Sequence, residues 1–257
     1  MRSWLRFALL TGVLVGCAGG IGMTGTASAQ DVRPGGRVIK FDAYRNGSHF
    51  GVSTVKIVGS KGAETVEVVT ALRVGLGPIT VFKYLLRTRI QWREGRIERL
   101  ESVVNDDGEV FRVDARRTDA GLMVEGVDGK LTVAAEILAT TYWQADMLTR
   151  HELLSIQHGR VLKVGFETLG EETIVSEGKQ SIATHFAMRG DLDLDIWYDT
   201  QGEWVKLTFK VDNSDIEYRR VTVGPSDLAS FVPLDQVPGV SGSDVQALID
   251  LQNLGSH

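Results

Sequence analysis

Two-residue turn signals recur along this chain at intervals of about eight to twelve residues, with short alternating segments between them. Asn46-Gly47 separates Arg37 to Tyr44 from His49 to Val58. Asn-Gly is the strongest short hairpin signal, because both central residues of a type I′ turn need positive φ. Glu94-Gly95, Asp106-Asp107-Gly108, Asp119-Ala120-Gly121 and Asp128-Gly129 continue the rhythm. Between two of these breaks Val81 to Trp92 alternates. Phe82, Tyr84, Leu86, Ile90 and Trp92 fall on one face, and Lys83, Arg87, Arg89 and Gln91 on the other. A period of two with turns this frequent belongs to an antiparallel sheet rather than to βαβ units.

Strands resume at Arg160 to Phe166, Glu171 to Val175, Gln180 to Arg189, Asp191 to Tyr198, Glu203 to Asp212 and Ile216 to Val223. Residues 134–158 lack the alternation. There Thr149-Arg150-His151-Glu152 reads as a capping box that opens a short helix stopping near Gly159. In Ser243 to Leu254, Val245, Leu248, Ile249 and Gln252 follow a helical period. The sequence therefore predicts an all-β, mainly antiparallel domain over residues 37–223, a curved sheet or open barrel of about 12 strands. It adds a small helical insertion at 134–158 and a short C-terminal helix within a proline-containing tail at 224–257.

The turn at Asp199-Thr200-Gln201-Gly202 suggests a definite register. With Tyr198 opposite Glu203, Ile196 faces Val205, Leu194 faces Leu207 and Leu192 faces Phe209, giving an apolar face. Asp195, Asp193 and Asp191 then meet Lys206, Thr208 and Lys210. Three aspartates about 7 Å apart on one strand face could bind Ca²⁺ or supply an acid–base pair. A cross-strand charge ladder accounts for them more simply, because Leu192 and Leu194 keep the segment extended where a calcium loop needs a sharp glycine turn.

Residues 1–29 read as a signal peptide. Arg2 and Arg6 precede the apolar run Phe7 to Gly16, and Ala27-Ser28-Ala29 supplies the small residues that signal peptidase accepts, placing cleavage between Ala29 and Gln30. Residues 30–36 follow as a linker. Leu14-Val15-Gly16-Cys17 also resembles a lipobox, in which Cys17, the only cysteine, is lipidated. The Ala-Ser-Ala site is better formed, so a periplasmic protein exported by the general route is the leading expectation and a lipid-anchored one the alternative. No later stretch reaches the roughly 18 apolar residues of a membrane helix, so no transmembrane segment is expected.

A formal net charge of −5 offers no basic face for nucleic acid. Catalytic motifs are missing too. His151, Glu152 and His158 do not make the His-Glu-x-x-His pattern of zinc proteases, and His185 reads as an exposed strand residue. Gly59-Ser60-Lys61-Gly62 and Gly239-Val240-Ser241-Gly242 both miss the serine-hydrolase elbow. The expectation is a non-enzyme with no catalytic residues, metal or cofactor. His151, Glu152 and the aspartates remain the candidates should an enzyme assemble its site from dispersed residues. The aromatic residues suggest more. Phe82, Tyr84, Trp92, Trp143 and Tyr198 are candidate lining for an apolar cavity inside a curved sheet, where a lipid or other apolar small molecule could bind. Simple core packing is the competing reading of the same stripe.

Asn46-Gly47 with Phe50-Gly51, Gln91-Trp92 with Gly95, Tyr142-Trp143, and Ile196-Trp197-Tyr198-Asp199 with Gly202 and Val205-Lys206-Leu207 together resemble an exported bacterial family, domain-of-unknown-function family 6134. Those residues are hairpin and core positions. The resemblance implies a fold and, through the Gram-negative origin of the family's members, an envelope location, but no reaction. The strand rhythm is also similar to that of lipoprotein-carrier folds, in which a curved sheet covers an apolar cavity. A second functional expectation is an envelope assembly partner that docks another protein through a sheet edge or the C-terminal helix. Export is checked by the N-terminus of the protein recovered from the periplasm. Gln30 is expected, and an N-terminal lipidated Cys17 would establish the anchored form instead.

Overall fold

The computed structural model describes residues 36–76 and 79–223. The expected signal peptide with Cys17 and its cleavage site, the linker before Gly36, and the tail with its expected helix at 243–254 lie outside these residues. The strands are β1 (Arg37–Arg45), β2 (Ser48–Ser60), β3 (Ala63–Leu76), β4 (Ile79–Arg93), β5 (Arg96–Asp106), β6 (Glu109–Thr118), β7 (Gly121–Gly126) and β8 (Gly129–Val133). They continue as β9 (Leu138–Ala139), β10 (Glu152–Leu154), β11 (Val161–Ser176), β12 (Lys179–Gly190), β13 (Leu194–Asp199), β14 (Trp204–Val211) and β15 (Ser214–Val221). The fold is all-β, and every pairing is antiparallel except β9 with β10.

The hairpins form where the turn residues demand them. Asn46 and Gly47 take φ of 48° and 79°, Glu94 and Gly95 55° and 70°, and Asp107 and Gly108 52° and 98°. These are the left-handed pairs that two-residue hairpins require. Each strand pairs with its sequence neighbour, from β1 through β8 and from β9 through β15, and β1 pairs with β15. One 15-stranded sheet results, in the order β8 to β1, then β15 to β9. Its two edges, β8 and β9, adjoin in sequence, so the chain crosses the seam of an open barrel between Val133 and Leu138.

Alternation assigns the faces. Ile39, Phe41, Ala43, Val55, Val66, Ile90, Leu100, Ala115, Leu122, Val124 and Ile196 are sealed inside, with exposures of 0%. Burial of one large apolar side chain contributes roughly 1.5–3 kcal/mol. On the outer face a charged row runs from β2 to β8 in register: Lys56, Glu67, Arg89, Glu101, Asp114, Glu125 and Lys130. Arg89 pairs with Glu67 at 2.5 Å, Arg99 with Glu101 at 2.9 Å and Lys130 with Glu125 at 3.3 Å. An apolar inside with charges outside is the reverse of a membrane barrel. No helix among the described residues is long and apolar enough to cross a membrane.

Several expectations need correction. The sheet has 15 strands rather than 12, the extra ones being mostly the short strands β8, β9 and β10. The insertion at 134–158 holds only one 3-10 turn, Ala145–Thr149. Thr149 ends this turn, its hydroxyl donating to the Asp146 carbonyl at 2.9 Å, rather than capping a new helix. The sealed Leu153 and Leu154 carry the chain onward as strand β10. The two strands expected at 160–175 are one, β11, with a bulge between Thr168 and Gly170. The β11–β12 tip reaches β15, where the Glu177 amide donates to the Arg220 carbonyl at 3.0 Å. Ile174 there joins Ala183, Trp197 and Val205 in a second small cluster.

The β13–β14 register also differs from expectation. Ile196 faces Leu207 and Trp197 faces Lys206, and a bulge sets Tyr198 opposite Trp204. The cause is an Asx-type loop. Asp199 Oδ1 accepts from both the Gln201 and Glu203 amides at 2.9 Å, holding the turn open one residue longer. Trp204 consequently enters the barrel and packs against Phe41, ring centroids 4.0 Å apart and planes tilted by 34°, while Val205 leaves for the outer cluster. The aspartates do not meet the expected lysines either. Asp195 pairs with Arg189 at 2.7 Å, and Asp193 and Asp191 accept the Gly190 and Lys163 amides as turn residues.

Gly51 is fixed by close approach rather than by its backbone angle. A Cβ there would sit 2.1 Å from the Ala71 carbonyl oxygen and 2.8 Å from the Leu72 Cα, backbone atoms that cannot swing away. At Gly47 a Cβ would meet nothing within 4 Å, and only the φ of 79° is at stake. Gly51→Ala is therefore expected to cost roughly 3 kcal/mol in urea denaturation, and Gly47→Ala about 1 kcal/mol. Equal losses at the two sites would contradict the close approach of β2 to β3.

Candidate functional site

The cross-strand register stacks the inner side chains in rows. The row toward the β4–β5 tip, with Val66, Ile90, Leu100, Ala115 and Val124, is solid. Trp92 lies beyond it, edge-on to Trp143 at 6.3 Å. The next row, with Val55, Val68, Thr88 and Ser102, is still filled, and Thr88 and Ser102 satisfy each other at 2.7 Å. Filling then stops. The rows Ser53–Thr70–Leu86 and Leu72–Tyr84–Asp106–Glu109 line a cavity of about 690 Å³. That volume is within the usual range for small-molecule sites.

The opposite wall comes from β13, β14 and β15, which contribute Leu194, Trp204, Leu207, Phe209 and Tyr218. The segment Thr140–Tyr142 and the loop Ser155–Leu162 complete it. Ser53, Thr70, Trp204 and Leu207 are buried, whereas Glu109, Val127, Arg160 and Asp191 are exposed. The cavity thus has a deep end inside the barrel and a charged rim on the side of the β5–β6, β7–β8 and β12–β13 turns. At this rim the loop after β10 is stapled to the β7–β8 turn across the seam. The Val127 amide donates to the His158 carbonyl at 3.0 Å, and Arg160 grips Asp128 with two hydrogen bonds, one of 2.8 Å.

Polar groups within this apolar wall are few and placed. Ser53 and Thr70 hydroxyls bond each other at 2.7 Å. The Gln157 side-chain amide reaches across from the loop to donate to the Tyr84 hydroxyl. Tyr142 sits at φ 61°, a conformation costly for a bulky residue. The Trp143 amide closes a γ-turn around it onto the Thr141 carbonyl at 2.8 Å, and the Tyr198 hydroxyl donates to the Tyr142 carbonyl at 2.7 Å. Such strain is of order 1–3 kcal/mol and persists only where neighbours over-determine it. Burial pushes the hydroxyls of Tyr84, Tyr142, Tyr198 and Tyr218 well above the ordinary tyrosine value. His158 moves down, through burial and the neighbouring Arg160, so its imidazole is neutral at pH 7.

Of the five aromatic residues expected at a ligand site, Tyr84 lines the cavity. Phe82 is core, Trp92 and Trp143 meet at the filled end, and Tyr198 stands behind the wall, positioning Tyr142. The main lining residues that sequence reasoning missed are Tyr142, Trp204, Leu207 and Tyr218. Tyr142 sits in an irregular turn, the strands of the other three look like any other amphipathic strand, and only the β1–β15 pairing reveals which faces meet. His151 and Glu152 are exposed and apart from the cavity lining. His185 lies outside the lining as well, bonded to Glu172 at 2.7 Å and stacked on Trp197 at 4.0 Å. It is half-buried rather than exposed. Among the described residues no three His, Cys, Asp or Glu side chains converge as a metal site.

The model of the family described as Domain of unknown function (DUF6134) matches residues 41–221, and the chain belongs to that family. Its fold is similar to the crystal structure of a beta-barrel-like protein of domain of unknown function DUF1849 from Brucella abortus. The TM-score is 0.53 at 13% identity, over 75% of this chain and 98% of the other, a likeness of fold alone. No curated protein matches the sequence.

The buried phenols make a pH prediction. Their raised values mean that the folded protein keeps protons that the unfolded chain releases above about pH 10. This contribution to stability is complete below that pH and falls as pH rises further. Phenolate absorbance from Tyr84, Tyr142, Tyr198 and Tyr218 is expected only together with loss of the sheet signal in circular dichroism. Gradual ionisation of all five tyrosines in an intact fold would contradict their burial.

Proposed function

We propose that this member of the DUF6134 family is an exported, non-enzymatic binding protein that holds an apolar small molecule, such as a lipid, in the open end of its barrel. The observation that carries the proposal is the cavity itself. An apolar barrel interior of this size normally fills with side chains, yet here the filling stops at the level of Ser53 and Thr70. Space of about 690 Å³ remains, walled by Leu72, Leu86, Leu194, Leu207, Phe209 and Trp204. Release of ordered or poorly bonded water from such a wall favours entry of an apolar ligand.

Export rests on Arg2, Arg6, the apolar run from Phe7 and the Ala27-Ser28-Ala29 site, and it suits a carrier working between envelope membranes. The charged outer face supports a protein that stays in water while its cargo is hidden. A non-enzymatic role is favoured by the lining: its phenols are neutral, and its one histidine is neutral and lies at the rim.

The test is native mass spectrometry of the protein purified from its own periplasm, followed by organic extraction. A bound species of defined mass, removed by extraction, is the expected result. A clean apo mass that persists after incubation with envelope lipids would overturn the carrier reading and favour a partner docked at the β8 or β9 edge.

A further inference from the structure

The cavity is not uniformly greasy, and its polar groups restrict what an apolar occupant can carry. Tyr218 is 9% exposed and Tyr142 lies opposite Trp204, their rings 5.4 Å apart. Both phenols belong to the lining. Among the described residues no protein group bonds either hydroxyl, and neither is sealed from solvent as a buried orphan, so both open onto the cavity. A phenol that opens onto an apolar cavity is a donor available to whatever enters it. The Tyr198 hydroxyl, bonded to the Tyr142 carbonyl at 2.7 Å, holds the Tyr142 turn in place at its left-handed φ.

Charge narrows the class further. The lining includes three acidic residues, Asp106, Glu109 and Asp191. Its cation, Arg160, is already engaged by both oxygens of Asp128, and His158 is held neutral. A carboxylate inside would be desolvated in an acidic lining whose cation is already held by Asp128.

Resting on the carrier reading, we infer that the cavity selects an uncharged long-chain molecule whose carbonyl oxygen accepts hydrogen bonds from Tyr142 and Tyr218. The neutral phenols donate, the leucine wall takes the chain, and a fatty-acid carboxylate is rejected. The probes that separate these effects are methyl dodecanoate, dodecanoate and dodecane, titrated at pH 8 into the mature chain with tryptophan fluorescence as readout, since Trp204 lines the cavity.

Wild-type protein is expected to bind the ester at least tenfold more tightly than either the carboxylate or the alkane. Tyr142→Phe and Tyr218→Phe, which remove one oxygen each, should weaken the ester by roughly three- to tenfold while leaving dodecane unchanged. Unchanged dodecane binding also shows that each variant folds with its cavity intact. Dodecanoate binding as tightly as the ester, or full ester affinity in both variants, would overturn the selectivity and leave the carrier reading standing. Failure of all three probes to bind the wild type would overturn both.

Discussion

Strand β1 pairs with strand β15 over Lys40–Arg45 and Ile216–Val221, and everything else about the interior depends on that contact. It brings together segments more than 170 residues apart, a closure whose entropic cost is ~4–5 kcal/mol by chain-length scaling. Ladder hydrogen bonds over the paired residues, at about 1 kcal/mol net each, do little more than offset this. The surplus lies in Ile39, Phe41 and Ala43, all sealed at 0% exposure, and in the packing of Phe41 against Trp204 from the far half of the chain. Remove the closure and two separate meanders remain, each with an apolar face in water. Joined, they enclose one interior whose opposite walls come from opposite ends of the sequence.

That interior is filled at one end and hollow at the other for local reasons. Toward the β4–β5 tip, large residues from facing strands interdigitate, and the inserted segment adds Ile137, Met147, Leu153 and Leu154 to the core. Toward the rim, small or hydroxylic residues (Ala43, Gly51, Ser53 and Thr70) occupy the inner face of β1 to β3. The loop from Ser155 to Leu162 crosses the rim and leaves the interior below it unfilled. The same seam that leaves β8 and β9 unpaired is held at the rim by Arg160 on Asp128 and by one backbone bond, contacts that are exposed and individually weak.

How much of this was legible follows from where the information sits. Turns are local, so Asn46-Gly47, Glu94-Gly95 and Asp107-Gly108 announce their hairpins, and the alternation from Phe82 to Trp92 announces a face. The β13–β14 register was not legible, because Asp199 lengthens the turn and Trp204 is drawn inward by Phe41, a partner from β1. The segment at 149–154 looked helical by its cap. Its last three residues, Glu152–Leu154, are instead strand β10, since Leu153 and Leu154 gain more from full burial than a short helix gains from capping. Tyr84 could be proposed for the site because aromatic alternation stood out on β4. Tyr142 and Tyr218 could not, since one sits in a strained turn and the other on an ordinary strand that matters only after closure.

Occupancy of the hollow end is the central claim, and crystals of the mature protein grown with 1-bromododecane test it most directly through the anomalous signal of bromine. A bromine peak inside the barrel, among Leu194, Leu207 and Tyr218, is the expected result. An empty interior with bromine confined to the outer face or a sheet edge would contradict it.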